Sequence, residues 1–146
     1  MHLPVDPAAI TKGDIGEQRA TLAMDHESAI EHVRDVFTEA GFGIPVEFSV
    51  SSLLNSKVDA GRDPYYVLGA CNPEIADRAL SATEGQLGGL VPCNVVIWED
   101  GPNEQVVYHL SIMRIARLVD LAIDEQEMEA IIEETGERVE TAFEML

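Results

Sequence analysis

At 146 residues the chain has the length of one domain, and a hydrophobic fraction of 46% lets it bury a core without disulfide or metal staples. Twenty-seven acidic residues against nine basic ones give a net charge of −18, which repels phosphate backbones and argues against nucleic acid as a partner. No apolar run approaches the roughly 18 residues that span a bilayer. The amino terminus has no cationic start followed by an apolar stretch, so a cytoplasmic protein with no membrane partner is expected.

Residues 1–18 hold Pro4, Pro7, Gly13 and Gly16 with little periodicity, and read as a flexible arm preceding a single domain over 19–146. RATLAM (19–24) is a candidate first strand. Asp25 then caps a helix in which Ile30, Val33, Phe37 and Ala40 recur at helical spacing, with Gly41 as its stop. PVEFSV (45–50) alternates Val46, Phe48 and Val50 against polar residues, the period of a half-buried strand. A loop carrying Asp59, Gly61, Asp63 and Pro64 leads into YYVLGACN, an apolar strand ending at residue 72. Asn72 as cap and Pro73 at the first helical position start a short helix. A glycine-bearing connection precedes the strand CNVVIWED, and GPN turns the chain into a second hairpin strand, QVVYHLSIM. Asp124 opens a terminal helix over 124–146 whose Met128, Ile132, Thr135, Val139, Ala142 and Leu146 form a heptad-like seam, interrupted in helix propensity by Gly136. Strands and helices interleaved with hairpins predict an α+β domain with a mixed, mainly antiparallel sheet covered by helices on one face.

The charge pattern is informative by its spread. The acids run along the whole chain, and Lys12 and Lys57 are the only lysines. A solvated, salt-adapted surface of the halophilic kind follows. Cys71 and Cys93 are too few for a disulfide framework and lack CxxC spacing. The histidines show no metal-ligand spacing, and no P-loop, dinucleotide fingerprint or nucleophile elbow is present, so no metal and no cofactor are expected.

Two short motifs stand out, LGACNP at 68–73 and PCNVV at 92–96. Together with Lys57, Tyr65, Ala76 and Leu80 they resemble the core of the family called domain of unknown function 302, over roughly residues 25 to 115. The resemblance implies a compact α+β domain similar to TATA-binding-protein-like folds that commonly pairs into dimers. It implies no established activity, and fold similarity to a DNA-binding protein does not transfer function.

The chemistry of these motifs is weighed residue by residue. Cys71 ends a strand beside a helix start, where backbone N–H groups and the helix dipole favour a thiolate, yet cysteine is also common core filler. Asn72 has a structural role as a cap. Asn94 sits inside a strand pattern, where asparagine is disfavoured and must find partners. Lys57 can anchor an anion or pair with a carboxylate, and Tyr65 offers packing and a phenol. The leading expectation is a homodimeric small-ligand-binding module with Tyr65, Cys71, Asn72, Cys93 and Asn94 around a pocket and Lys57 nearby. One alternative is sulfur transfer or thiol redox, with Cys71 as the nucleophile and Cys93 as its partner. The other is an assembly protein that dimerises through a sheet edge and the terminal helix. Both chemical readings require the two motif-bearing strands to be antiparallel neighbours, because a parallel crossover would send the cysteines to opposite sheet ends.

Overall fold

Short polar side chains set the helix starts that the sequence marks. In the computed structural model, which describes residues 6–146, the carboxylate of Asp25 accepts the Ser28 N–H at 2.9 Å, and α1 runs over His26–Glu39. The Asn72 amide oxygen accepts the Ile75 N–H at 3.1 Å and opens α3, Pro73–Ala82. Asp124 does the same for Glu127 N–H at 3.0 Å and opens the terminal helix α5, Glu125–Met145. Each cap satisfies a backbone donor that a helix start leaves without an internal partner. Gly41 stops α1 with φ of +96°, a conformation that glycine adopts without a Cβ clash.

The strands are β1 (Gln18–Leu22), β2 (Gly43–Ser49), β3 (Tyr65–Cys71), β4 (Cys93–Gly101) and β5 (Glu104–His109). They form one five-stranded sheet in the order β1-β5-β4-β3-β2, with every neighbouring pair antiparallel. The expected α+β class, the single domain and the long terminal helix are all observed.

Two helices were not expected. Residues Val50–Val58, of which Val50 was expected to end a strand and 51–58 were assigned to no element, form α2, capped by the Ser49 hydroxyl on Ser52 N–H. The expected strand QVVYHLSIM stops at His109, because the Ser111 hydroxyl accepts the Arg114 N–H and starts α4, Ile112–Leu118. Residues 1–5 of the expected arm lie outside the described residues. Of the remainder, Pro7–Ala9 form a 3₁₀ turn, and Ile15 accepts the Ser111 N–H at 2.9 Å, which ties the segment to the start of α4.

The core has two parts. Val33 and Phe37 of α1 pack on Leu68, Val95, Ile97 and Val107 of the sheet, joined by Val139 and Ala142 from the second half of α5. The first half of α5 gives Met128, Ile131 and Ile132 to a helical cluster with Ile75 and Ala79 of α3 and Ile112, Met113 and Ala116 of α4. The apolar seam of α5 is thus buried within the chain itself. Alternation along β4 sends Cys93, Val95 and Ile97 to this helix-covered side, and Asn94, Val96 and Trp98 to the other. Among the described residues no helix is long and apolar enough to cross a membrane.

Candidate functional site

β3 and β4 are antiparallel neighbours, and Ala70 stands opposite Cys93. This register puts the end of LGACNP beside the start of PCNVV. Cys71, Asn72 and Cys93 line one cavity together with Phe42, Ile75 and Thr135. Its volume is about 30 Å³, room for about one water molecule.

The groups around that cavity have defined states. Both cysteines are free thiols, each partly buried. Burial, and then the neighbouring Cys71, push the Cys93 thiol up to about 12. A thiol in that state is neutral at physiological pH and is a poor nucleophile. Asn72 uses both ends of its amide: the oxygen caps α3, and the nitrogen donates to the Gly41 carbonyl at 3.1 Å. The side chain therefore fastens the start of α3 to the turn between α1 and β2.

Selective alkylation checks the state of Cys93. Iodoacetamide at mildly alkaline pH should modify Cys93 about three orders of magnitude more slowly in the folded chain than in urea, following the loss of thiolate. Peptide mass spectrometry after timed quenching gives the two rates. Equal rates would show that the thiol is neither buried nor held neutral.

Tyr65 and Asn94 belong to the other side of the sheet. There they line a groove of about 380 Å³ with Leu90, Val96, Tyr108, His109 and Ile115, where the uncovered sheet face meets α4. The Asn94 side chain is exposed and makes no hydrogen bond among the described residues. Burial raises the Tyr65 phenol, which keeps it protonated and able to donate. Tyr65 also stacks on Trp98 at 5.8 Å between ring centroids, and Arg19 lies 5.5 Å over the Trp98 ring, a cation–π arrangement. Tyr108 closes the row and donates its hydroxyl hydrogen to Glu17.

Lys57 lines neither space. It lies exposed on the last turn of α2, where a cation complements the helix dipole. The six candidates are thus distributed over a small cavity, a larger groove and a helix end. Tyr108, Leu110, Ile112 and Ile115 complete the groove without having been singled out in sequence. Tyr108 lies near the end of β5 and Leu110 just past it, and a period of two does not tell a covered face from an open one.

Comparison with solved structures gives the crystal structure of an uncharacterized conserved protein DUF302 from Bacillus stearothermophilus, with a TM-score of 0.76. Identity is 20%, over 90% of this chain and 98% of that one, so the likeness is one of fold. No curated protein matches the chain. The family model described as domain of unknown function DUF302 matches residues 18–146, from the first residue of β1 to the residue after α5, and the chain belongs to that family.

Proposed function

We propose that the chain is a small-ligand-binding module whose ligand lies against the uncovered sheet face, in the groove between Tyr65, Asn94 and α4. The carrying observation is that groove of about 380 Å³, apolar along Val96, Leu110, Ile112 and Ile115, with an unpartnered amide at Asn94. Apolar walls with a few convergent polar groups are the usual composition of a small-molecule site. The ligand class that fits is a small, uncharged aromatic or amphipathic molecule, with Asn94 and the Tyr65 phenol as its orienting partners.

Trp98 is the only tryptophan in the chain and stacks on Tyr65 at the groove, so it serves as the reporter. Titration with the neutral probe N-phenyl-1-naphthylamine should quench Trp98 emission saturably by energy transfer. Val96→Asp should weaken the probe by at least about tenfold, a loss of roughly 1.4 kcal/mol. Unchanged quenching in a folded Val96→Asp variant would reject the groove as the site.

A homodimer is the second reading, favoured by the edge strand. On β2, Val46 and Phe48 are 55% and 50% exposed, and an apolar edge strand is a template for pairing with another chain. In this reading the dimer forms along β2, beside the groove, and Phe48→Glu converts it to a monomer by light scattering. A wild-type chain that is monomeric at micromolar concentration removes this reading and leaves the groove untouched.

A further inference from the structure

On the helix-covered side of the sheet a second cleft, of about 230 Å³, opens between the start of β1, the end of β5 and α5. We propose that this cleft binds a small zwitterion of the α-amino-acid class, separately from the ligand of the sheet-face groove. The ligand's carboxylate lies on Arg114, and its ammonium lies between His109 and the glutamates of α5.

Opposed, unpaired charges carry the assignment. Arg114 on α4 lines the cleft, as do Glu133, Glu137 and Glu140 on one face of α5. None of these four takes part in an ion pair among the described residues, although five other pairs form in the same structure. Charges of both signs that line one cleft without meeting favour a ligand that carries both signs. A simple cation would face the guanidinium, and a simple anion would face three carboxylates. The Ser111 hydroxyl accepts the Arg114 N–H and so keeps its own hydrogen free for a carboxylate.

Unpartnered polar atoms supply the second, independent observation. His109 is 3% exposed, and its Nδ1–H donates to the Asn94 carbonyl at 2.8 Å. Facing a carbonyl, Nδ1 must hold the proton, which leaves Nε2 as an acceptor without a partner among the described residues. Burial lowers the His109 pKa, in keeping with a neutral ring. Thr135 is 6% exposed, and its hydroxyl is the one buried side-chain oxygen or nitrogen among the described residues that lacks a hydrogen bond. Such atoms are rare in folded proteins and call for a missing partner. An ammonium, with three hydrogens to give, supplies a donor for the imidazole nitrogen, and Thr135 borders both this cleft and the small cavity beside Cys71.

Gly136 fits the same reading. Glycine disfavours a helix interior, yet a methyl group added at Gly136 would meet nothing within 4 Å. Packing therefore does not require glycine here. Its effect is to leave the cleft wall bare beside Thr135.

Carbon–proton NMR of the histidine rings in the labelled full chain tests the proposal. Each standard L-amino acid is titrated separately to millimolar concentration. At least one should shift the His109 ring resonance saturably, in the wild type and in the groove variant Val96→Asp alike because His109 borders both spaces, and leave His32, which does not line the cleft, in place. The amine and the carboxylic acid matched to that amino acid should each bind at least about tenfold more weakly. Arg114→Gln should cost a similar factor, and Gly136→Leu should abolish the shift. Gly136→Ala serves as the folding control, because it should raise the melting temperature while weakening binding. The proposal is overturned if no amino acid moves His109, if the matched amine binds as tightly as its parent, or if a folded Gly136→Leu variant binds unchanged.

Discussion

Replacing Gly69 with valine is expected to cost about 3 kcal/mol of folding stability, the upper part of the range for overpacked positions. Gly69 stands between Val46 of β2 and Asn94 of β4 in the sheet register. A Cβ added there would lie 2.6 Å from Val46 Cγ2 and 2.9 Å from Pro92 Cγ, with the Val46 carbonyl oxygen at 3.1 Å. The proline ring is stiff and the carbonyl belongs to the ladder, so Val46 alone can yield by turning its side chain. Alanine at this position should therefore still destabilise, by about 1 kcal/mol, where an unobstructed strand site would gain from losing glycine. The sign of the alanine effect separates the steric account from propensity. Urea unfolding of Gly69→Ala in the wild-type and Val46→Ala backgrounds completes the test, since removing the valine methyls should recover only part of the loss and leave the share due to Pro92 and the Val46 carbonyl. If Gly69→Ala proves stabilising, the close approach of Val46 and Pro92 is not a constraint on the fold.

The same contact explains part of the motif. In LGACNP the glycine admits Pro92, the first residue of PCNVV, so the two motifs meet by packing before any chemistry is considered. That meeting was legible only conditionally, because residues 73–92 contain a helix and leave open whether β4 returns parallel or antiparallel. What sequence could not supply was the pleat. Cys93 and Asn94 are adjacent in the chain and were grouped as one site, but neighbouring strand residues point to opposite faces. Cys93 lies against the cavity and Asn94 on the groove. Tyr65, distant in sequence, reaches Asn94's face because Tyr65 pairs with Trp98 and Gly69 with Asn94.

The missed helices have equally local causes. The α2 helix buries only Ser51 and leaves Leu53 and Val58 exposed, so it carries no apolar stripe for periodicity to find. The α4 helix follows β5 within an apolar run, VVYHLSIM, where period alone does not tell a buried strand from a buried helix. Its signal was Ser111 as a cap. By contrast α1, α3 and α5 each announce themselves by a cap followed by spaced apolar residues, and all three form with the expected cap. Thr135 was read as part of the α5 seam, and it is buried there as such. Only the unpartnered state of its hydroxyl, which depends on the whole packing, distinguishes it from filler.

Asn72→Ala is expected to lose about 2 kcal/mol, because two hydrogen bonds of different kinds disappear together. The first is the cap: the amide oxygen on Ile75 N–H, at an α3 start where Pro73 contributes no donor of its own. The second is the clasp from the amide nitrogen to the Gly41 carbonyl, 31 residues away. The two are separable by chemistry. Aspartate keeps the capping oxygen and adds charge that suits a helix start, but it has no hydrogen to donate to Gly41. Asn72→Asp should therefore lose less than Asn72→Ala, about 1 kcal/mol, with the remaining loss assigned to the clasp. Asn72→Ser, which caps but is too short to reach Gly41, should fall beside aspartate. Hydrogen exchange locates the damage: alanine should expose the first turn of α3, whereas aspartate and serine should loosen the Gly41 turn and leave that first turn protected. Equal losses in all three variants would mean that the clasp, not the cap, holds Asn72 in place. The side chain would then act chiefly as a tie between the α1–β2 turn and α3, with the helix start secured by Pro73 and its packing alone.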